Sequence, residues 1–92
     1  MSELDPRFVG RWTLANEEER RTAEFTADGV MHYVVDIGDR ELTMELTWRV
    51  EGEMLVSEHA SEGRTTHARF TFPHERTLVL DYGNETFTFE KA

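Results

Sequence analysis

The clearest pattern along the chain is the strict alternation in "ELTMELTWRV". Leu42, Met44, Leu46, Trp48 and Val50 are apolar, and Thr43, Glu45, Thr47 and Arg49 between them are polar. Successive side chains of a strand point to opposite faces, so this segment is a strand with one buried and one wet face. The same period recurs in "ETFTFEK" with Phe87 and Phe89, in "THARFTF" with Ala68, Phe70 and Phe72, and in "TLVLDY" with Leu78, Leu80 and Tyr82. The runs "FVGRWTL", "RTAEFTA", "VMHYVVD" and "EMLVSEH" bring the count to about eight strands, and helical periodicity is almost absent.

The connections between these runs are short. "ADG" at 27–29 suits a turn closed by Gly29, "EG" at 51–52 and "GN" at 83–84 suit two-residue hairpins, and "SEG" at 61–63 is another turn. "PHE" at 73–75 breaks a strand at Pro73, and only "ANEEER" at 15–20 and "IGDR" at 37–40 are longer. Parallel strands need crossovers of about a dozen residues or more, for which there is no room. The expected fold is therefore all-β: an eight-stranded antiparallel up-and-down meander that closes into a barrel and so removes its own edges.

Register decides which side chains face inward, because a slip of one residue exchanges the two faces. With "EG" as the whole turn, Val50 faces Glu53, Trp48 faces Leu55, Leu46 faces Ser57 and Met44 faces His59, all inside. With "VEG" as a three-residue turn, Met54 and Val56 point inward and His59 outward. The "ADG" turn places Met31, Tyr33 and Val35 inward and His32 outward. Strand direction then divides the interior. Phe8, Trp12, Phe25, Met31, Trp48, Leu55, Phe70, Phe72 and Phe89 collect at the end with the tight turns. Tyr33, Ser57, His59, Arg64, Thr66, Tyr82 and Glu85 collect at the other, beneath the two longer loops.

Composition narrows the partners. Ninety-two residues make one domain, 1–92, with room for a single core, and 11% aromatic content argues against disorder. The net charge is −9, from 19 acidic and 10 basic residues, a field that repels phosphate backbones and anionic lipid. Nucleic acid and membrane are accordingly not expected as partners. There is no cysteine, so disulfide and thiolate chemistry are excluded. "MSELDPRF" has neither the basic nor the apolar region of an export signal, which makes a cytoplasmic location the expectation.

"GRW" at 10–12 resembles the glycine–any–tryptophan signature on the first strand of lipocalins and related calycin barrels. "FTADG", "EGEML" and "ETFTFEKA" follow in the order seen in short bacterial lipocalin-like domains, so the resemblance runs nearly end to end. Where lipocalins set an arginine near the last strand against the tryptophan, this chain offers Lys91. The resemblance implies an eight-stranded barrel in which the glycine permits close approach and the indole plugs the floor. It also implies a role in holding something apolar or amphipathic.

The candidate ligand-binding residues are Tyr33, Met44, Ser57, His59, Arg64, Thr66, Tyr82 and Glu85. His59 can accept a proton or bond a ligand carbonyl, with Glu85 or Tyr33 setting its tautomer, and Arg64 has the planar fork that fits a carboxylate. Otherwise Arg64 forms a salt bridge to Glu85 or Glu62. No cofactor is expected, and the four histidines at 32, 59, 67 and 74 lack a zinc-ligand arrangement. "EEER" at 17–20 reads as a solvated loop. Val30, Val34, Met54, Val56 and Val79 on the outer wall mark a candidate homodimer face. The expected function is a non-enzymatic binding module for a small apolar or amphipathic molecule. The alternatives are a cyclase or isomerase using His59 with Tyr33 for acid–base work, and an interaction protein with a solid barrel.

Overall fold

The computed structural model describes residues 4–15, 19–59 and 61–92. Its strands are β1 Gly10–Ala15, β2 Arg20–Phe25, β3 Val30–Asp36, β4 Glu41–Glu51, β5 Met54–His59, β6 Arg64–His74, β7 Thr77–Asp81 and β8 Thr86–Lys91. Each pairs antiparallel with the next, and β1 pairs with β8, so the sheet is a closed up-and-down barrel. The closing seam is short, with Trp12 opposite Lys91 and Thr13 opposite Glu90. The Ala92 N–H extends it by donating to the Arg11 carbonyl at 2.9 Å. No helix among the described residues is long and apolar enough to cross a membrane.

The alternation predicts the inner wall well. Trp12, Ala23, Phe25, Met31, Trp48, Val50, Leu55, Ala68, Leu78, Leu80 and Phe89 are all buried in one cluster. Phe8 belongs to it but not to β1, because Pro6–Phe8 is a single 3₁₀ turn, with Asp5 accepting a bond from the Arg7 N–H. The turn drives the Phe8 ring into the barrel floor, 5.0–5.5 Å from the rings of Phe25, Trp48, Phe70 and Phe72. Such tilted and edge-on contacts suit the quadrupoles of aromatic rings. Both indoles are satisfied: Trp12 Nε1 donates to the Phe8 carbonyl at 2.8 Å, and Trp48 Nε1 to the Thr26 carbonyl at 3.1 Å.

Gly10 has φ of +132°, and a Cβ there would meet Lys91 Cε at 2.9 Å. The close approach is therefore made by a side chain rather than by backbone. It carries Lys91 Nζ to 5.5 Å from the Trp12 ring, a cation–π distance.

Several turns differ from their expected form. β4 and β5 pair Glu51 with Met54, Val50 with Leu55 and Trp48 with Ser57, so the loop is Gly52–Glu53 rather than "EG" at 51–52. Gly52 takes φ of +62°, and among the described residues none other than glycine has positive φ. A glycine in the first loop position of a two-residue hairpin is the arrangement of a type II′ turn, which selects this register over its neighbour. The shift moves the partner by two residues and leaves the faces unchanged. Leu55 and Ser57 stay inside, and His59 lies two residues on, so the "VEG" alternative with Met54 and Val56 inside does not occur.

"IGDR" is also a tight hairpin, with the Ile37 N–H bonded to the Arg40 carbonyl at 2.9 Å, and forms no roof. β6 runs through Pro73, absorbing the missing N–H in a register shift between Thr71 and His74, and turns at Glu75–Arg76. "ADG" and "GN" turn where expected: Phe25 pairs with Met31, and the Tyr82 N–H bonds the Glu85 carbonyl at 2.9 Å. Of "EEER", Glu17 and Glu18 lie outside the described residues, whereas Arg20 opens β2 and Glu19 pairs with Arg21, so this half is not a free solvated loop.

The outer wall is less apolar to solvent than the alternation suggests. Val56 points outward yet is fully buried between Arg49 and His67 on the flanking strands. Arg49 is anchored to Glu51 at 2.5 Å and Glu58 at 3.5 Å, which lays its aliphatic stem along the wall. Val30, Val34, Met54 and Val79 are half-buried. By contrast Leu42, on the inner-face parity of β4, is 52% exposed. It pairs with Val35 near the tip of the β3–β4 hairpin, where no opposite wall remains to cover it.

Candidate functional site

At the end away from the aromatic floor, the barrel opens into a cavity of about 470 Å³. All eight residues singled out from the sequence line it: Tyr33, Met44, Ser57, His59, Arg64, Thr66, Tyr82 and Glu85. Meander topology explains the convergence, since the inner-face positions of neighbouring strands β2 to β6 and of β8 come to one end of the barrel. Arg21, Met31, Leu46, Glu62, Asn84 and Phe87 also border the cavity.

Arg21 is the residue that sequence reasoning passed over. It stands two and four positions before the inward Ala23 and Phe25, so the period-two signal was available. A charge at a predicted inner position reads as a strand end. The structure shows how the cation is accommodated. Arg21 Nη1 donates to the Tyr33 hydroxyl at 3.1 Å, Nη2 lies 3.1 Å from Glu19 Oε1, and the guanidinium sits 4.7 Å from the Phe87 ring centre. Burial disfavours its charge, and the bonds to Tyr33 and Glu19 outweigh that effect, so its pKa is raised. Arg21 is thus a fixed piece of the wall.

Tyr82 stacks edge-on against Phe87, with ring centres 5.8 Å apart. Burial, reinforced by the neighbouring Tyr33 and only partly offset by Arg21, pushes its phenol up to about 12. It is a neutral donor at any ordinary pH.

His59 has a different partner from those expected. Its Nδ1 lies 3.1 Å from Glu62 Oε2 and 3.5 Å from Ser61 Oγ, so the β5–β6 turn, rather than Glu85 or Tyr33, orients the ring. A carboxylate at Nδ1 favours the tautomer with its proton there and leaves Nε2 as the acceptor. Met44 is not opposite His59; it faces Tyr33 across β3 and β4. Nor does Arg64 form the salt bridge to Glu62 or Glu85: among the described residues its side chain has no ion-pair or hydrogen-bond partner.

The remaining histidines lie elsewhere. His32 is on the outer wall, 3.8 Å from Glu45; His67 is exposed; and His74 is at the floor end of β6. Among the described residues no three His, Asp or Glu side chains are grouped to hold a metal ion.

No family model matches the chain, and no curated protein does. The fold is similar to an NMR structure of a protein from Bacteroides uniformis, with a TM-score of 0.71 and 16% identity, over 98% of this chain and 93% of that one. Likeness at that identity speaks to the fold alone: the chain shares a small eight-stranded barrel with a bacterial relative in shape.

Proposed function

We propose that the open end of the barrel binds a small apolar or amphipathic molecule, as a non-enzymatic binding module of lipocalin-like type. The observation that carries this reading is the cavity. Its volume of about 470 Å³ lies within the range of small-molecule pockets, and its lining combines apolar side chains (Met31, Met44, Leu46, Phe87) and two tyrosine rings with polar and charged groups, the mixture an amphipathic molecule needs. Eight strands make a barrel just wide enough for one small ligand or for a filling of side chains, and here the aromatic filling stops at the floor. That weighs against an interaction protein with a solid core.

A second reading gives the same cavity acid–base chemistry, and what favours it is the 3.1 Å contact between Glu62 and His59 Nδ1. An oriented imidazole that shares a cavity with a phenol, here Tyr33, can serve acid–base chemistry. Turnover of a carbonyl substrate abolished by His59→Gln would support that reading.

Native mass spectrometry of the protein purified under gentle conditions tests the binding reading. The expected result is a carried small molecule, or uptake of the neutral apolar dye N-phenyl-1-naphthylamine with a rise in its fluorescence. A bare chain that also fails to take up the dye would overturn it.

A further inference from the structure

The inner face of the β5–β6 hairpin carries two cross-strand pairs, one above the other. Ser57 lies opposite Thr66 toward the floor, and His59 lies opposite Arg64 at the rim. Their hydrogen-bonding capacity is largely uncommitted. Among the described residues the hydroxyls of Ser57 and Thr66 and the guanidinium of Arg64 have no side-chain partner. Ser57 nevertheless is only 7% exposed. His59 is engaged at Nδ1 alone. The contrast with Arg21, held by Tyr33, Glu19 and Phe87, is sharp. Two arginines border the cavity among the described residues: Arg21 is held by its neighbours, and Arg64 has all of its side-chain donors uncommitted.

Apolar surface is supplied from other strands: Met44 and Leu46 stand on β4, and the rings of Tyr82, just after β7, and of Phe87, on β8, stack edge-on. One column on β5 and β6 thus carries Ser57, Thr66, His59 and Arg64, while Met44, Leu46 and Phe87 offer apolar surface on other strands, alongside Arg21, Asn84 and Glu85. Two inner-face positions on one strand are roughly 7 Å apart.

A straight-chain fatty acid does not match this division, because it is polar only at its end. Its methylenes would lie against the Ser57 and Thr66 hydroxyls and remove them from water unpaired, at a cost. A molecule with one polar edge and one apolar face does match. Glu85 also borders the cavity and the chain carries a net charge of −9, so a second negative group on the ligand would be repelled.

Resting on the binding reading above, we infer that the ligand is a ring-bearing carboxylate with a second, neutral hydrogen-bonding group on the same edge. Its carboxylate sits on Arg64, and its second group reaches the Ser57–Thr66 pair. Its apolar face lies against Met44, Leu46 and Phe87.

Displacement of N-phenyl-1-naphthylamine by three naphthalenes tests this. The expected order of affinity is 7-hydroxy-2-naphthoate, whose two polar groups share one edge of the ring system, then 2-naphthoate, then 2-naphthol. Arg64→Gln should weaken 2-naphthoate by about tenfold or more, the loss expected for a charge-assisted bond, and leave 2-naphthol unchanged. Ser57→Ala combined with Thr66→Val should erase the advantage of the hydroxynaphthoate without affecting 2-naphthoate. Outward-facing Arg49→Ala is the control and should change nothing. Near-UV circular dichroism checks that each variant is folded. If naphthoate and naphthol displace the dye equally, or the preference survives Arg64→Gln, the carboxylate assignment is wrong. If the hydroxyl adds nothing, the assignment of the second group is wrong. In either case the binding reading stands, whereas absence of dye binding by the wild-type chain would overturn both.

Discussion

The two ends of this barrel are built from the same alternating strands and are finished differently. At the floor, Phe8, Phe25, Trp48, Phe70 and Phe72 meet within a few ångströms, and each indole N–H has a backbone acceptor. At the mouth, the inner positions hold serine, threonine, histidine, arginine and tyrosine around a cavity of about 470 Å³. Floor residues are chosen for volume, and mouth residues for what they can donate or accept. The Ser57 hydroxyl has no protein partner, yet among the described residues no buried side-chain polar atom is left unsatisfied, so it opens onto the cavity rather than being sealed in the wall. Stability is thus concentrated at one end, and the capacity to recognise a molecule at the other.

The largest expected effect tests the floor. Trp12 is fully buried, and Trp12→Ala should cost about 3–5 kcal/mol in chemical denaturation, as large aromatic truncations in cores do. A loss below about 1 kcal/mol would mean that the floor does not anchor the fold.

Next comes the seam beside it. Gly10→Ala should cost about 1–3 kcal/mol, from the positive φ and the contact with Lys91 together. Adding Lys91→Ala should restore only the steric part, because the backbone strain persists. Full recovery in the double variant would show that φ contributes nothing.

A pH measurement sharpens the comparison at the mouth. The Tyr82 phenol is raised to about 12 in the fold, against about 10 in an unfolded chain. Between those values the folded protein holds a proton that the unfolded chain has lost. Stability from this group is therefore fully present below pH 10 and declines as pH rises toward 12. Tyr82→Phe should flatten that decline, measured as thermal stability across the same range. An unchanged slope would place the phenol in water.

The smallest effect belongs to the polar column. Ser57→Ala removes a hydroxyl with no protein partner and should alter stability by less than about 0.5 kcal/mol in either direction. A loss of about 1 kcal/mol or more would mean that the mouth is structural after all, and the contrast between the two ends would fail.

Much of this was legible in the amino-acid order, for reasons that differ between the two ends. Period-two alternation and short glycine turns determine an antiparallel meander with its faces sorted, because side-chain direction in a strand is a local property. That is why Leu55, Ser57 and His59 keep their face even though the β4–β5 pairing slides by two residues. It is also why the eight mouth residues could be gathered before their contacts were known. What the sequence leaves open are the events that depend on a third strand or a distant turn. The floor plug by Phe8 requires a 3₁₀ turn to fold back under the barrel. The cover over Val56 requires long side chains on flanking strands, and the exposure of Leu42 follows from the height of its neighbours. The pairing of His59 with Glu62 and of Arg21 with Tyr33 and Phe87 depends on where loops and adjacent strands bring their side chains. Local alternation decides which way a side chain points; only the closed barrel decides what it meets there, because its neighbours come from other strands.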